Sequence, residues 1–293
     1  MTTLLCLGYG YCARHLVARH GASFARILGT ARAPRFEPGV DMLAFDGVPS
    51  DELRAALETA DIVLASAAPG EAGDPFLGPL GPGLAAARRK GPLIYLSTIG
   101  VHGDSGGAWI DEDAPLDAEA PRARRRVAAE AAWRETGQAA GRPVAILRLG
   151  GIYGPGRNAL LDIRAGTARC IERPGQVFNR IHVADIAGAI HAVATQGFDG
   201  VVNVVDDEPS PSCAPVRFAA GLLGVEPPPA VPFEIAAATM SPMALSFWAD
   251  NRRVRNDRLH ALIGGALTYP TYREGLTALL AEGEGRAAPR QPG

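Results

Sequence analysis

Uninterrupted apolar runs recur through the first third of the chain: TLLCLG (3–8), ARILGTAR (25–32), MLAFDG (42–47), DIVLASAAP (61–69) and PLIYLSTIG (92–100). Runs of this length without polar alternation predict strands covered on both faces, as in a parallel sheet. Helical stretches lie between them. YCARHLVARHG (11–21) is stopped by Gly21, and SDELRAALETA (50–60) opens on a capping Ser50. FLGPLGPGLAAARRK (76–90) combines a glycine- and proline-rich entry with a short helix. RPVAILRLGGIYG (142–154) and GVVNVVDDE (200–208) supply a sixth and a seventh strand. The alternation predicts an α/β fold built on a doubly wound parallel sheet.

The texture changes in residues 155–180 and again from about 207, where Pro, Gly and isolated helices dominate. These stretches are expected to form a small discontinuous lobe (155–180 and 207–282) over the carboxyl ends of the strands, where open α/β sheets bind ligands. The sheet domain then comprises residues 1–154 and about 181–206. The tail at 283–293 has little to bury and is expected to be disordered.

Composition narrows the partners. A formal charge of −2 gives no electrostatic case for nucleic acid. No apolar run reaches the ~20 residues that span a bilayer, and the amino end lacks the features of a signal peptide. Cys6, Cys12, Cys170 and Cys213 show no metal-ligand spacing, so no metal site is expected, and a disulfide framework is not expected in a chain of 293 residues. A reduced, cytoplasmic protein acting on a small molecule is the expectation. Lys90 is the single lysine among 29 basic residues, so any chemistry needing a lysine has one candidate.

LGYGYCAR (7–14) places Gly8 and Gly10 after the first strand and Ala13 inside the following helix, giving G-x-G-x-x-A. The first glycine permits the tight turn and the second lets a pyrophosphate approach the backbone. The small third residue brings helix and strand together, with the helix N-terminus facing the phosphates. An NAD site offers a carboxylate at the end of the second strand. This chain offers Thr30, Ala31 and Arg32, with no carboxylate until Glu37. Arg32 suits the 2′-phosphate of NADP, so NADP(H) is expected over NAD. Tyr11, Asp46 as a partner for the adenine amino group, and Ala67 and Ala68 after the fourth strand complete the expected cofactor contacts.

Taken in order, LGYGYCAR, YLSTIGVHGD (95–104), DEDAPL (111–116), LRLGGIYGPGR (147–157), RIHVADIAGAI (180–190), VVNVVDDEP (201–209) and NRRVRNDRL (251–259) span nearly the whole chain. This series resembles the extended short-chain dehydrogenase/reductase superfamily, the NAD(P)-dependent epimerase/dehydratase family, in an atypical branch. The resemblance implies a Rossmann domain, a nicotinamide cofactor, a small carboxyl-terminal substrate lobe, and often a homodimer. It also implies a catalytic hydroxyl at Thr98, beside Ser97, and a Tyr-x-x-x-Lys pair on a later helix. In register with that pair stand Arg122 and Arg126, in PRARRRVAAE (121–130).

Arginine stays protonated, so it cannot replace a phenol as the proton-transfer group. It can stabilise developing negative charge or grip an anion. Arg122 and Arg126 are therefore expected to line the site. Arg124 and Arg125 are expected outside it, and an Arg126–Glu130 pair one turn on is available. His102, in the slot of a family tyrosine, and Tyr153 are the candidate proton donors, with His182 read as structural. Phe178 stands where a diphosphate-binding arginine often occurs, while Arg157 and Arg252 could reach an anion. The expected activity is hydride exchange between NADP(H) and a small carbonyl or hydroxyl substrate, anionic ones included. The alternative is a non-catalytic NADP(H)-binding sensor or scaffold.

Overall fold

β1 (Thr3–Leu7) runs through the glycine turn into α1 (Tyr11–His20), and β2 (Arg26–Ala31) and β3 (Asp41–Ala44) follow. The computed structural model describes residues 2–285. α2 (Asp51–Thr59), β4 (Ile62–Ala65), α3 (Leu77–Ala86) and β5 (Leu93–Thr98) continue the alternation. Next come β6 (Trp109–Ile110), α4 (Pro121–Ala140), β7 (Val144–Leu149) and β8 (Gly151–Tyr153). The chain goes on through α5 (Ala159–Arg164), β9 (Cys170–Glu172), β10 (Arg180–His182), α6 (Val183–Gln196), β11 (Gly200–Val204) and α7 (Cys213–Leu223). It ends in β12 (Ala230–Pro232), α8 (Phe233–Ala237), α9 (Pro242–Ser246), β13 (Arg253–Val254), α10 (Asp257–Ile263) and α11 (Tyr272–Ala281).

The seven strands expected from the apolar runs form one sheet, ordered β3-β2-β1-β4-β5-β7-β11. Every pairing in it is parallel. This is a Rossmann-type α/β fold, whose strand order reverses between β1 and β4. Alternate side chains of β1 serve opposite faces: Leu4 and Cys6 join α1 and α6, while Leu5 and Leu7 meet α2, α3 and α4. That two-sided burial is why the strand is apolar throughout. Local chemistry fixes the helix ends. Ser50 accepts from the Leu53 N–H to open α2, and Gly141, at φ 60°, closes α4. Pro121 occupies the first turn of α4, where its missing N–H costs no helical bond.

The stretch 142–154 is two strands, not one. β7 stays in the large sheet, whereas β8 pairs with β10. The chain turns at Gly150, where a Cβ would come within 3.0 Å of the Asn179 carbonyl oxygen. No spacing of apolar residues signals this break. A second departure concerns the cysteines: Cys170 in β9 and Cys213 in α7 are joined in a disulfide, while Cys6 and Cys12 are free and buried. The partners lie 43 residues apart and meet only because α7 packs beside β9.

Tyr153, Leu160, Ala219, Tyr272, Leu276 and Leu279 form a separate small core away from the sheet. The expected tail disorder falls mainly on residues outside those described. Before them, Glu284 accepts from the Gly156 N–H at 3.2 Å and from Asn158 Nδ2 at 3.0 Å. Among the described residues no helix is long and apolar enough to cross a membrane.

Candidate functional site

Two cavities open along the carboxyl ends of the sheet strands. One, of about 640 Å³, is lined by Gly8, Gly10, Thr30, Arg32, Asp46, Ala67 and Ala68 among others. Gly8 has φ +85°, and a Cβ there would sit 3.3 Å from Ser66 Oγ. Ser66 in turn donates to the Gly8 carbonyl at 2.5 Å. Thr30 Oγ1 accepts from the Gly8 N–H at 2.8 Å, so this residue shapes the turn as well as lining the cavity. A Cβ on Gly10 would meet nothing within 4 Å. Gly10 caps α1 without a side-chain hydrogen bond, and the first turn carries no acidic residue. Free N–H groups therefore face open space at a helix N-terminus, an arrangement that fits a pyrophosphate.

At the far end of this cavity Arg32 is exposed and has no carboxylate partner among the described residues. Glu37, the nearest acidic residue along the chain, is paired with Arg14 at 2.7 Å. Two expected contacts stand elsewhere. The Tyr11 hydroxyl donates to the Pro155 carbonyl at 2.9 Å, tying α1 to the GIYGPGR loop. Ala13 is wholly buried, in the packing role of the third small residue rather than at the ligand surface.

The second cavity, of about 410 Å³, lies beyond β5 and β7 and includes Thr98, Arg122, Tyr153, Arg180, Phe247 and Arg252. Thr98 Oγ1 accepts from the Gly100 N–H at 3.1 Å, which leaves its own proton to donate. The Arg122 guanidinium lies over the Phe247 ring at 3.9 Å and has no hydrogen bond or ion pair with another described residue. Arg252 is 8% exposed. Its Nη1 donates to the Ile99 carbonyl at 2.9 Å and its Nη2 pairs with Asp250, but its Nε is buried without a partner. An unsatisfied buried donor of this kind costs about 1–3 kcal/mol.

Arg180 spends its donors on the Phe178, Ser210 and Pro211 carbonyls and the Ser210 hydroxyl. Burial pushes the pKa of neighbouring Asp206 up to about 8, so at neutral pH that carboxyl is mostly protonated. Among the described residues the cavity's lining holds three arginines and one carboxylate, that of Asp250.

Three sequence expectations for this cavity need correction. Arg126 does not line it: Nη1 donates to the Tyr95 hydroxyl at 2.9 Å and the Leu96 carbonyl at 2.7 Å, binding α4 to β5. Nor does it pair with Glu130. That carboxylate, wholly buried, accepts from Ser97 Oγ at 2.6 Å and from Arg148 Nε and Nη2 at 3.1 and 2.9 Å.

His102 is the second case. It is 4% exposed, with Nε2 3.2 Å from Arg148 Nη1 and Nδ1 3.4 Å from the Pro115 carbonyl. Arginine only donates, so Nε2 must accept and the ring is neutral. Burial, and then the Arg148 charge, lower its pKa. It cannot serve as the acid. Tyr153, the third, lines the cavity, but its hydroxyl donates to the Thr271 carbonyl at 3.2 Å. Burial, followed by the nearby carboxylates, raises its pKa far above the ordinary phenol value.

His182 behaves as expected of a structural residue. Nδ1 accepts from the Ala184 N–H at the start of α6, and burial lowers its pKa to about 4. Arg124 donates to the Glu119 carbonyl at the helix surface, and Arg125 is half-buried outside both cavities. Asp250, Ser212 and Phe247 line the second cavity without any sequence signal having singled them out. Cys170, Glu172 and Cys213 are the one cluster of potential metal ligands among the described residues. Its sulfurs are bonded to each other, and Glu172 pairs with Arg217 at 2.5 Å.

The profile of the NAD dependent epimerase/dehydratase family matches residues 84–205, the stretch carrying Thr98, Arg122 and the GIYGPGR loop. That stretch carries the family's domain. A 3-diazoavenalumate denitrifying reductase from a Streptomyces species is 30% identical over 208 residues, 66% of this chain. The match spans 65% of that reductase's length. Among solved structures, a functionally unknown conserved protein from Silicibacter pomeroyi is 42% identical with a TM-score of 0.85. That likeness covers 97% of this chain and 100% of the other. A human epimerase family protein solved with NADPH shares the fold, at 21% identity and a TM-score of 0.73 over 96% of this chain and all of its own.

Proposed function

We propose that this chain is an NADP(H)-dependent oxidoreductase acting on a small carbonyl or hydroxyl compound without the usual tyrosine–lysine apparatus. The observation that carries this reading is the placement of the two cavities. The glycine-lined one and the one holding Thr98 and Arg122 lie along the same edge of the sheet, where a dinucleotide in the first would direct its far end toward the second. Gly8, Gly10 and the start of α1 would hold the pyrophosphate, Arg32 the 2′-phosphate, and Asp46 the adenine end. When bound, a reduced nicotinamide supplies hydride to the substrate. Thr98 would donate its free proton in a hydrogen bond to the reacting oxygen. Arg122 would supply positive potential to the site, which a fixed guanidinium does without changing its own protonation.

A proton completing the reduction would come from solvent, since neither His102 nor Tyr153 presents one. This supports an unconventional member of the family, as does the denitrifying reductase among its relatives. The proposed setting is the cytoplasm, where the Cys170–Cys213 bond would be open to reduction.

A second reading, a non-catalytic NADP(H) sensor or scaffold, draws on the diversion of Arg126 to the backbone of β5. Deuterium transfer separates the two. The protein is incubated with 4-deuterated NADPH and a metabolite extract. Label leaving the cofactor for a small molecule is the result expected of the enzyme. Tight binding of NADPH with full retention of label would leave the sensor reading.

A further inference from the structure

The cationic cavity beside Thr98 contains more unspent hydrogen-bonding capacity than a neutral substrate could use. An arginine has five N–H donors. In Arg252 only two contacts are made, to the Ile99 carbonyl and to Asp250, and the buried Nε has none. Arg122 spends no donor on another described residue, and its guanidinium carbon lies over the Phe247 ring. The two cations also repel each other, and Asp250 offsets both only in part. A bound anion would relieve that repulsion and satisfy the orphaned donor.

The other walls restrict what carries the anion. Leu149, Ile152, Val177 and Phe178 are apolar. The Arg122–Phe247 stack adds a flat surface on one side, and Phe178 stands edge-on to Trp248, with ring centroids 4.9 Å apart. Since Arg180 is committed to backbone carbonyls, two guanidiniums remain, which suits a single carboxylate better than a diphosphate.

We propose that the substrate is a flat, conjugated or aromatic monocarboxylate, held by Arg122 and Arg252 with its apolar body on the Phe247 side of the cavity. The proposal rests on the reading of this cavity as a substrate site, and it makes Arg122 and Arg252 the specificity-determining residues. It assigns Asp250 the part of a counter-ion that holds Arg252 in place until the substrate carboxylate arrives.

The test uses trans-cinnamate and its uncharged analogue cinnamamide as probes, titrated calorimetrically into the full chain without nucleotide. Cinnamate is expected to bind at least tenfold tighter than the amide. Arg122→Gln and Arg252→Gln should each weaken cinnamate at least tenfold and leave the amide unchanged. Arg252 also braces the Ile99 carbonyl, so its variant is read only with an unchanged unfolding midpoint; Arg122, on the surface of α4, carries the test regardless. Equal affinity for acid and amide, no cinnamate binding, or wild-type affinity in the Arg122 variant would overturn the proposal. NADPH is titrated separately into the same samples. Loss of nucleotide binding alone would overturn the oxidoreductase reading and leave the carboxylate clamp standing.

Discussion

The two cavities are made in opposite ways. The nucleotide cavity is drawn largely by backbone: a glycine with positive φ, a glycine whose missing Cβ leaves room, and the bare start of α1. The second cavity is drawn by side chains from segments far apart in sequence: Thr98 from β5, Arg122 from α4, Phe247 after α9 and Arg252 before β13. The first should tolerate changes in its surroundings and fail only when its open space is filled. The second depends on how well α4 is held against the sheet.

The largest effect is expected where α4 is fastened. Glu130→Ala would leave Arg148 buried and unpaired, a loss of about 3–5 kcal/mol of stability. Urea unfolding should show it, and a loss under about 1 kcal/mol would mean that α4 is held by its apolar contacts instead. Filling the backbone cavity comes next. A Cβ at Gly10 meets no protein atom and aspartate is a favourable helix cap, so Gly10→Asp should leave the fold unharmed. NADPH affinity should nonetheless fall at least a hundredfold, about 2.7 kcal/mol. Retained affinity in a fluorescence titration would place the phosphates elsewhere.

How much of this was legible in the chain follows from the same contrast. All seven sheet strands read as apolar runs because burial on both faces leaves no alternation to misread. The glycine turn read equally well, since Gly8 and Gly10 act through what they lack. The arginines did not. Their register on α4 points Arg122 and Arg126 alike toward the sheet, but in the fold Tyr95 and the Leu96 carbonyl capture Arg126. His102 was misjudged because Arg148, its neighbour in space, lies 46 residues away and takes its lone pair. The Cys170–Cys213 bond was hidden for the same reason.

A further effect is expected outside both cavity linings, at His182 between Tyr153 and Tyr269. Its folded-state pKa, about 4, lies below the usual 6.5. The neutral ring therefore contributes stability above pH 6.5 that is lost as pH falls toward 4, by roughly 3 kcal/mol. His182→Asn keeps a capping acceptor without the titration and should flatten that part of the urea-midpoint profile. An unchanged profile would assign the acid sensitivity to another group. The smallest effect concerns cofactor choice at the exposed rim. Arg32→Ala should weaken NADPH about tenfold, near 1.4 kcal/mol, and leave NADH unchanged. Equal loss of both in parallel titrations would remove the role assigned to its charge.

The joining of the two cavities into one site is tested most directly by a crystal structure with NADPH bound. The account predicts the pyrophosphate over Gly10 and the nicotinamide C4 facing Thr98 and Arg122, within reach of a substrate between them. A nicotinamide ring turned away from Thr98, or a nucleotide lying wholly outside the Gly8–Gly10 cavity, would contradict it.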